Sequence, residues 1–425
     1  MSNVVEYFPS SVSRRVSVEE AAASRAFVKV EVHRTVDAIV ADWAELEGLA
    51  PVSVYQTRAF VLPWLATLGA ARKIKPFFVV ARDAQGRATA LLCLGLRHFG
   101  WFRIASFVGG KEANFNLGLF RPGVSFRAAD LRRLLREAAK AAGTDAPDVF
   151  VLKNQPYDWN RMQNPFASLP HRQSPSFAYA TQLASTATAF LDAKLSKDTR
   201  KKLRKKEARL AEIDQLTLIT GEDPDDACKI LDAFFIDKIK RCEEKSIASD
   251  FAAPSMRAFF DRLCRQKTAS GKPWLELYGL SLGGRVIATY VGAAHYDRFS
   301  AMVNSFDGDP VIAKSSPGDL LLMKLVAAQC DLGRASFDLG IGEARYKETY
   351  CDTTVPLFDL VMPLGPKGAI LAARQTAYSH LKQAIKKNPQ ALAAFRRITH
   401  FASRPRFAGL RKPEPVPAPA PAASH

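Results

Sequence analysis

The sequence lacks any run of about 18 consecutive apolar residues, the length that a membrane-spanning helix needs, so we expect no transmembrane helix. The N-terminus also lacks the continuous apolar segment of a signal peptide. The sequence has six cysteines, Cys93, Cys228, Cys242, Cys264, Cys330 and Cys351. No two of them have CxxC spacing, and no histidine pair lies near any of them. This pattern argues against a disulfide framework and a zinc site and is typical of reduced thiols. We therefore predict a cytoplasmic protein without a metal.

Acidic residues are missing from 367–412, which carries eleven Lys/Arg and no Asp or Glu. The segment 194–209 is also basic, with nine Lys/Arg against Asp198 and Glu207. These two segments account for the whole formal net charge of +18, so the rest of the chain is neutral and no nucleic-acid partner is expected. Residues 367–412 alternate Ala, Leu and Phe with Lys and Arg. They either dock on an anionic surface such as that of the inner membrane or cover the rest of the protein.

The order of predicted elements occurs twice along the chain. Residues 76–154 and 273–341 each read as three strands joined by tight turns, then a loop, a helix and a further strand. A meander followed by such a crossover predicts an α+β fold, in which helices pack on a mixed sheet. At 425 residues and 48% hydrophobic content, the chain is long enough for two or three domains.

Composition divides the chain into five predicted parts. They are a lead-in at 1–25, an N-terminal domain at 26–185, a C-terminal domain at 186–365, a basic helical region at 366–412 and a Pro/Ala tail at 413–425. The tail contains too few apolar side chains to fold.

The stretch 315-SSPGD-319 lies between a predicted strand and a predicted helix. Ser315 or Ser316 can cap the helix, Pro317 suits its first turn, and Gly318 permits close approach of a ligand to the backbone. The stretch is therefore either an anion site at a helix N-terminus or simply a well-capped helix. The nearby GIG at 340–342 lacks the third glycine of a dinucleotide loop, and no apolar-periodic helix follows it. It predicts a bulge or turn at a strand end.

SPGDLLL at 316–322, together with FDLGIGEARYK at 337–347, resembles the CelD/BcsL-type acetyltransferases of bacterial polysaccharide biosynthesis clusters. That family belongs to the GNAT (Gcn5-related N-acetyltransferase) superfamily and is similar to the FemAB/FemX transferases in its tandem GNAT-like architecture. The resemblance covers about 40–365, although the usual Q/R-x-x-G-x-G/A loop is absent. It implies transfer of an acyl group from acetyl-CoA or another acyl-CoA to an amine, or less readily to a hydroxyl. The acceptor would be a small molecule or a sugar in polysaccharide, cellulose or cell-envelope biosynthesis.

Several donor-binding residues follow from this resemblance. The coenzyme A pyrophosphate would lie on Ser315, Ser316, Gly318, Asp319 and Leu320. The strand ending near Ser305 would separate from 336–341 to admit the pantetheine arm, and backbone N–H groups of Asn304, Ser305 and Phe306 would polarise the thioester carbonyl. Lys347 either meets a coenzyme phosphate or is a solvated charge.

Catalytic candidates are fewer. Direct transfer needs an aligned amine, a route for its proton and a donor to the leaving thiolate. Tyr346 occupies the place where the superfamily often has that proton donor, or else packs its ring on the sheet. Asp307 and Asp338 are candidate bases or amine binders, or else turn and capping carboxylates.

Acceptor candidates come from two regions. Lys111, Asn114 and Asn116, in the first copy's counterpart of SSPGD, either line an acceptor pocket between the copies or are solvated loop residues. Helix-capping residues are missing there, so no coenzyme site is expected in the first copy. Glu276 and His295 face the predicted sheet of the second copy, although a lone histidine in a strand is usually structural.

Two alternatives to the acyl-CoA enzyme remain at this stage. One is a FemX-like transferase that uses aminoacyl-tRNA, although its long coiled-coil insertion is not evident here. The other is an inactive GNAT scaffold that binds a polysaccharide-synthesis partner. The basic helix predicted from Ser196, with Leu195, Leu203 and Leu210 in one apolar line, contacts coenzyme phosphates or an anionic acceptor, or is a solvated face.

Overall fold

The computed structural model describes residues 26–244 and 249–387, so the predicted lead-in at 1–25 and tail at 413–425 lie outside the described residues. The strands of the first half are β1 (Lys29–His33), β2 (Lys75–Arg82), β3 (Ala88–Phe99), β4 (Phe102–Phe107), β5 (Leu119–Phe120), β6 (Val149–Pro156), β7 (Asp158–Trp159), β8 (Met162–Gln163) and β9 (Arg172–Gln182). Its helices are α1 (Val40–Leu49), α2 (Arg58–Trp64) and α3 (Ala128–Ala141).

The second half begins with helices and ends with a long one. Its helices are α4 (Ala187–Lys194), α5 (Lys197–Ala211), α6 (Pro224–Glu244), α7 (Pro254–Cys264), α8 (Pro310–Ala313), α9 (Pro317–Asp331), α10 (Arg345–Tyr350) and α11 (Pro366–Lys387). Its strands are β10 (Leu216–Thr220), β11 (Leu275–Leu282), β12 (Arg285–His295), β13 (Arg298–Phe306), β14 (Ser336–Ile341) and β15 (Thr353–Pro363).

One mixed sheet runs through both halves, and thirteen strands of the described chain belong to it. Its order is β1-β2-β3-β4-β6-β15-β9-β14-β13-β12-β11-β10, with β5 paired to β3. The pairs β4–β6 and β13–β14 are parallel, because α3 and α9 carry the chain back across the sheet between them. The duplicated order of elements predicted from the sequence is therefore present.

The two halves exchange a strand. β9 is the last strand of the first half, yet it pairs with β14 and β15 of the second. β15 returns in the opposite sense and pairs with β6 of the first half. The predicted boundary at 185/186 falls after β9, so strands from both sides of it share one ladder. Neither β9 nor β15 is predicted from the sequence.

Helices cover both faces of the sheet because each has an apolar stripe. In α3 the buried residues Leu131, Leu134, Leu135 and Ala138 recur at helical spacing. In the second half, α6 and α7 bury Phe234 and Phe259 on one face, and α9 packs on the other. The end of β13 is thereby enclosed by α6 and α9.

Three local predictions can be compared directly with the structure. GIG at 340–342 contains a β-bulge, because the β14–β9 register shifts between Asp338 and Gly340. No apolar-periodic helix is predicted after GIG, and the helix that follows, α10, is short and mostly polar and starts at Arg345. The predicted basic helical region at 366–412 begins as α11, and its residues from 388 onward lie outside the described part of the chain.

Candidate functional site

The candidate site is an opening between β13 and β14, here called the β13–β14 opening. The two strands pair only from Arg298–Ser336 to Ser300–Asp338. β13 continues to Phe306, so roughly 20 Å of its edge has no β14 partner at about 3.3 Å per residue. The separation predicted near Ser305 is therefore present. An extended arm can enter a sheet at such a gap.

A β-bulge shapes the β13 edge of this opening. The β12–β13 register passes from Val291–Val303 to Gly292–Ala301, which leaves Met302 as the extra residue. The Asn304 carbonyl accepts a hydrogen bond from Lys238 Nζ at 3.1 Å and so points away from β12. Since the N–H and C=O of one strand residue point to the same edge, the Asn304 N–H also faces the opening.

The other two residues predicted to polarise the thioester differ in the direction of their backbone N–H groups. The Asp307 N–H donates to the Ile287 carbonyl beside β12, so the Ser305 N–H also faces β12, and the Ser305 hydroxyl lies 2.7 Å from the Thr289 hydroxyl. The Phe306 N–H faces the opening, as that of Asn304 does. The Phe306 ring lies beneath the Arg241 guanidinium, 4.2 Å from the ring centroid, and forms a wall between α6 and α9.

Tyr346 belongs to a polar cluster on the α9 side of the opening. Its hydroxyl lies near the side chains of Asn304 and Tyr290 and interacts with both. Burial raises the pKa of Tyr346 above its ordinary value of 10.0, and the interactions with these two side chains lower it by less. The phenol consequently keeps its proton at neutral pH, as a proton donor requires.

The N-terminus of α9 borders the same opening and has no side-chain cap. Ser316 adopts the left-handed conformation with φ of +49°, and Pro317 occupies the first helical position. The predicted capping by Ser315 or Ser316 is therefore wrong. Ser315 is fully buried, and its hydroxyl finds no hydrogen-bond partner within the described chain. An uncapped N-terminus with an unpaired hydroxyl beside it suits an anionic ligand.

Few backbone amides of residues 315–320 are available to a ligand. The N–H groups of Ser315 and Ser316 donate to backbone carbonyls of α8, and those of Asp319 and Leu320 donate to the Ser316 carbonyl. Leu320 is also buried in the core. Within residues 315–320, this leaves the N–H of Gly318, so an anion placed here would depend mainly on side chains.

The basic helix α5 supplies such a side chain. Lys206 Nζ donates to the Ser316 hydroxyl at 2.8 Å. Lys206 also acts on Asp319, whose pKa is raised by burial and lowered in part by this lysine. Lys324 of α9 pairs with Glu207 of α5 at 2.6 Å. The predicted apolar line of Leu195, Leu203 and Leu210 is buried, so α5 is held against α9 with its lysines at the N-terminus of that helix.

The corresponding gap in the first half is filled by its own chain. Residues 119–120 pair with β3 at Ala90–Leu91, along the edge that β4 leaves free. On the other side, the Asn116 N–H donates to the Asn154 carbonyl at 3.0 Å and its side chain to the Lys153 carbonyl at 3.0 Å. The segment thus bridges β3 and β6. Asn116, predicted to bind the acceptor, instead holds this segment in place.

Asn114 connects the two halves at the point where β13 and β14 separate. Its Nδ2 donates to the Ala301 carbonyl of β13 at 3.4 Å and to the Tyr55 hydroxyl at 2.7 Å. Its Oδ1 accepts from the Ile341 N–H of β14 at 3.3 Å. A Cβ on Gly340, which has φ of +63°, would lie 2.2 Å from Asn114 Nδ2. The missing Cβ of Gly340, in GIG, therefore makes room for the Asn114 side chain rather than for a phosphate.

Two predicted catalytic carboxylates are occupied by structural partners. Asp338 is fully buried and accepts hydrogen bonds from Arg298 at 3.0 Å and Ser300 at 2.6 Å. Asp307 accepts from the Asp309 N–H at 2.9 Å and pairs with Arg285. The bonds from the Asp309 and Gly340 N–H groups match the turn and capping alternative, whereas the ion pairs with Arg285 and Arg298 were not predicted.

Other predicted residues lie outside the opening or have local partners. Lys347 is buried and donates to the Gly340 and Ile341 carbonyls at 3.3 and 2.9 Å, so it does not project toward a phosphate. Burial lowers its pKa to about 8. Glu276 pairs with Arg334, and His295 lies near the β12–β13 turn, away from the separated ends of β13 and β14. Lys111 pairs with Asp250 at a cavity described below.

Several contributors to the site are not singled out by the sequence. Lys238 and Arg241 come from α6, Tyr290 from β12 and Met302 from the bulge of β13. The only available signal for the α6 pair was basic residues within an amphipathic helix, which are usually solvated. No group of three or more His, Cys, Asp or Glu residues that would suit a metal ion occurs within 26–244 and 249–387.

One family model matches part of the second half. Residues 197–348 match the model described as an acetyltransferase (GNAT) domain. The predicted GNAT fold, an α+β mixed sheet with tandem halves, is therefore confirmed, whereas the narrower CelD/BcsL assignment stays a prediction. No curated relative matches the chain.

Three solved structures are similar to this chain at 10–12% identity, and the first of them shares its fold. FemX is 10% identical, with 79% of this chain and 98% of FemX covered and a TM-score of 0.51. A tandem GNAT protein from the clavulanic acid biosynthesis pathway is 12% identical, with 80% and 99% covered and a TM-score of 0.44. L-PGS from Bacillus licheniformis is 11% identical, with 82% and 98% covered and a TM-score of 0.47. None of the helices described for this chain is long and apolar enough to span a membrane.

Proposed function

We propose that this protein transfers an acyl group from an acyl-CoA thioester, with acetyl-CoA as the reference donor, directly to an amine. The observation that carries the proposal is the β13–β14 opening beside the N-terminus of α9. It lies within the segment that matches a GNAT acetyltransferase domain. No covalent enzyme intermediate is needed, because the thioester itself is an activated acyl donor.

The residues at the N-terminus of α9 suit the donor's diphosphate. The uncapped helix end, the Gly318 N–H and the Lys206 ammonium converge on one side of the sheet. Gly318 has no Cβ, and its N–H is the one within residues 315–320 that donates to no backbone carbonyl. A diphosphate can therefore approach the backbone closely, and the lysine offsets the negative charge of Asp319.

The remaining residues act on the reacting atoms. The Asn304 N–H, which faces the opening, donates to the thioester carbonyl oxygen and stabilises the charge that develops there. The neutral amine attacks the carbonyl carbon, the C–N bond forms, and the C–S bond breaks. Tyr346 gives its proton to the leaving thiolate, and the proton lost by the amine returns through solvent to the phenolate. The products are an amide and free coenzyme A.

Calorimetric titration of acetyl-CoA tests the donor site. Wild-type protein is compared with Gly318→Trp, whose side chain fills the approach to α9. Gly365→Trp is the matched control, because a Cβ there meets no atom within 4 Å and Gly365 lies outside the site. We expect micromolar binding by the wild type and the control, and loss of binding by folded Gly318→Trp. Equal binding by all three proteins would place the donor elsewhere.

One observation favours a second candidate, an aminoacyl-tRNA-dependent transferase of the FemX type. Lys206 of α5 bonds to Ser316 at the N-terminus of α9, and the exposed lysines and arginines of α5 extend this positive charge along the helix, so an anionic tRNA end would also fit. Such binding predicts strong RNA affinity with a steep salt dependence. An inactive scaffold would bind neither donor.

The pathway rests on sequence alone. Placement in polysaccharide, cellulose or cell-envelope biosynthesis is supported by the resemblance of SPGDLLL and FDLGIGEARYK to the CelD/BcsL-type acetyltransferases. Contact of 366–412 with an anionic membrane surface is likewise proposed from charge. Sedimentation of the protein with anionic lipid vesicles, compared with a chain ending at residue 387, tests it.

A further inference from the structure

A cavity of about 160 Å³ borders the β13–β14 opening on the α6–α7 side of the sheet. Met302 and Val303, at and next to the β13 bulge, form its floor, and Asn114 forms one wall. Asn114 is also the residue that contacts both strands where they separate. A molecule in this cavity therefore lies directly beside the strand edge on which an acyl group would be held.

Most of the cavity wall is apolar and rigid. It consists of Phe60, Phe251, Met256, Phe259 and Phe260. The Phe60 and Phe259 rings pack edge to face with centroids 5.5 Å apart, and Phe259 packs in the same way on Phe260 at 5.5 Å. Because these rings fix one another, the cavity has a defined shape that suits a flat apolar group.

The polar groups at its rim are already paired. Lys111 forms an ion pair with Asp250 across the two halves. Glu112 accepts two hydrogen bonds from Arg72, each 2.8 Å long, and one from the Trp64 indole at 3.1 Å. Each charged side chain at the rim is therefore paired with one of opposite charge. The Asn114 amide is hydrogen-bonded to Tyr55, Ala301 and Ile341.

This lining discriminates between acceptor classes. Each sugar hydroxyl buried here would lose its water without gaining a partner, and an amino-acid carboxylate would lack a free counter-charge. An apolar group gives up no hydrogen bonds to water when it enters the cavity. We infer that the acceptor is a primary amine whose substituent is uncharged, apolar and about the size of a benzene ring. The substituent is held in this cavity, and the nitrogen points toward Met302 and Asn304. This inference rests on the proposed acyl transfer and names its acceptor class.

Binding of the acceptor can be measured without any donor. The probes are 2-phenylethylamine, ethylamine and glucosamine, titrated calorimetrically into the full chain. We expect 2-phenylethylamine to bind on the order of 10- to 100-fold more tightly than ethylamine, because it buries a phenyl ring. With acetyl-CoA present, the same order is expected in kcat/KM for release of free coenzyme A.

Two variants locate the site. Met256→Phe adds volume inside the cavity and should remove the preference for 2-phenylethylamine over ethylamine. Met162→Phe makes the same chemical change on β8, outside the cavity, and should behave as the wild type. If Met256→Phe fails to fold, Val303→Ala replaces it. That variant widens the cavity and should shift the preference toward 3-phenylpropylamine.

The outcomes separate the inference from the proposed function. Selective 2-phenylethylamine binding that is lost in Met256→Phe supports the cavity, even if acetyl-CoA proves to be the wrong donor. Tighter binding or faster acetylation of glucosamine overturns the inference while the acyltransferase stands. The cavity of about 360 Å³ on the other side of Asn114, lined by Lys153, Ser174 and Asp359, would then become the acceptor site. No selectivity among the amines also overturns the inference.

Discussion

Replacing Lys206 by glutamine removes the ammonium group that joins α5 to the N-terminus of α9. Lys206 is half-buried, and its Nζ lies 2.8 Å from the Ser316 hydroxyl. In the proposed complex this ammonium binds the donor's diphosphate, to which Asp319 is a like-charged neighbour. Glutamine keeps much of the side-chain length and can still hydrogen-bond, so the change mainly removes charge.

The size of the effect follows from the interaction that is lost. A hydrogen bond to a charged group contributes roughly 1.5–3 kcal/mol, and partial exposure of Lys206 places the value toward the lower end. Since about 1.4 kcal/mol is a factor of ten, the Kd for acetyl-CoA should rise roughly 10- to 50-fold. The dependence of Kd on salt should also weaken, because one fewer cation contacts the phosphates.

Calorimetric titration at two salt concentrations measures both effects. Lys205→Gln is the matched control, since Lys205 is exposed on the same helix and makes no contact with Ser316. It should change Kd less than threefold. Equal weakening by the two variants would mean that α5 acts only through its general positive charge. An unchanged Kd in Lys206→Gln would refute this placement of the diphosphate.

Three further predictions concern the opening and its surroundings. Tyr346→Phe removes the proposed proton donor and should lower kcat about 10²-fold with little change in the Kd of acetyl-CoA; full activity in stopped-flow turnover would exclude that role. Asn114→Ala removes contacts to both Ala301 and Ile341, so chemical denaturation should show a free energy of unfolding lower by about 1–3 kcal/mol. The kcat should also fall, and an unchanged kcat would argue against a positioning role. Burial lowers the pKa of His295 to about 4 from 6.5, so the unfolded chain binds the extra proton first and stability should fall by about 3 kcal/mol as pH drops from 6.5 to 4. His295→Gln should remove that dependence, and an identical pH profile in the variant would show that another group is responsible.

The candidate donor site was only partly predictable from the sequence. SSPGD marks a helix N-terminus because Pro317 and Gly318 have local conformational preferences that neighbouring residues reveal. The absence of a cap was not predictable, since Ser316 takes a left-handed conformation and its hydroxyl bonds to Lys206, 110 residues earlier. The lysine itself sits in a run of similar residues, and only packing of Leu203 and Leu210 selects which one faces α9.

The partners of the two carboxylates that were predicted to be catalytic could not be predicted from the sequence. Asp307 and Asp338 fall at positions where the superfamily's chemistry takes place, so a local reading makes them candidates. In the folded chain Arg298 and Ser300 come from the strand beside Asp338, and Arg285 reaches Asp307 from the neighbouring strand. Cross-strand partners depend on register, which the sequence of one strand does not specify.

The sequence by itself determined the α+β class, the repeated order of meander, helix and strand, and the apolar faces of the helices, because these depend on local periodicity and turn residues. Only the tertiary structure decided the exchange of β9 and β15, the filling of the first opening by residues 116–120, and the reach of Asn114 into the second. Each of these depends on backbone groups far apart in sequence finding hydrogen-bond partners. Such pairing is settled by the packing of the whole sheet, not by any one segment.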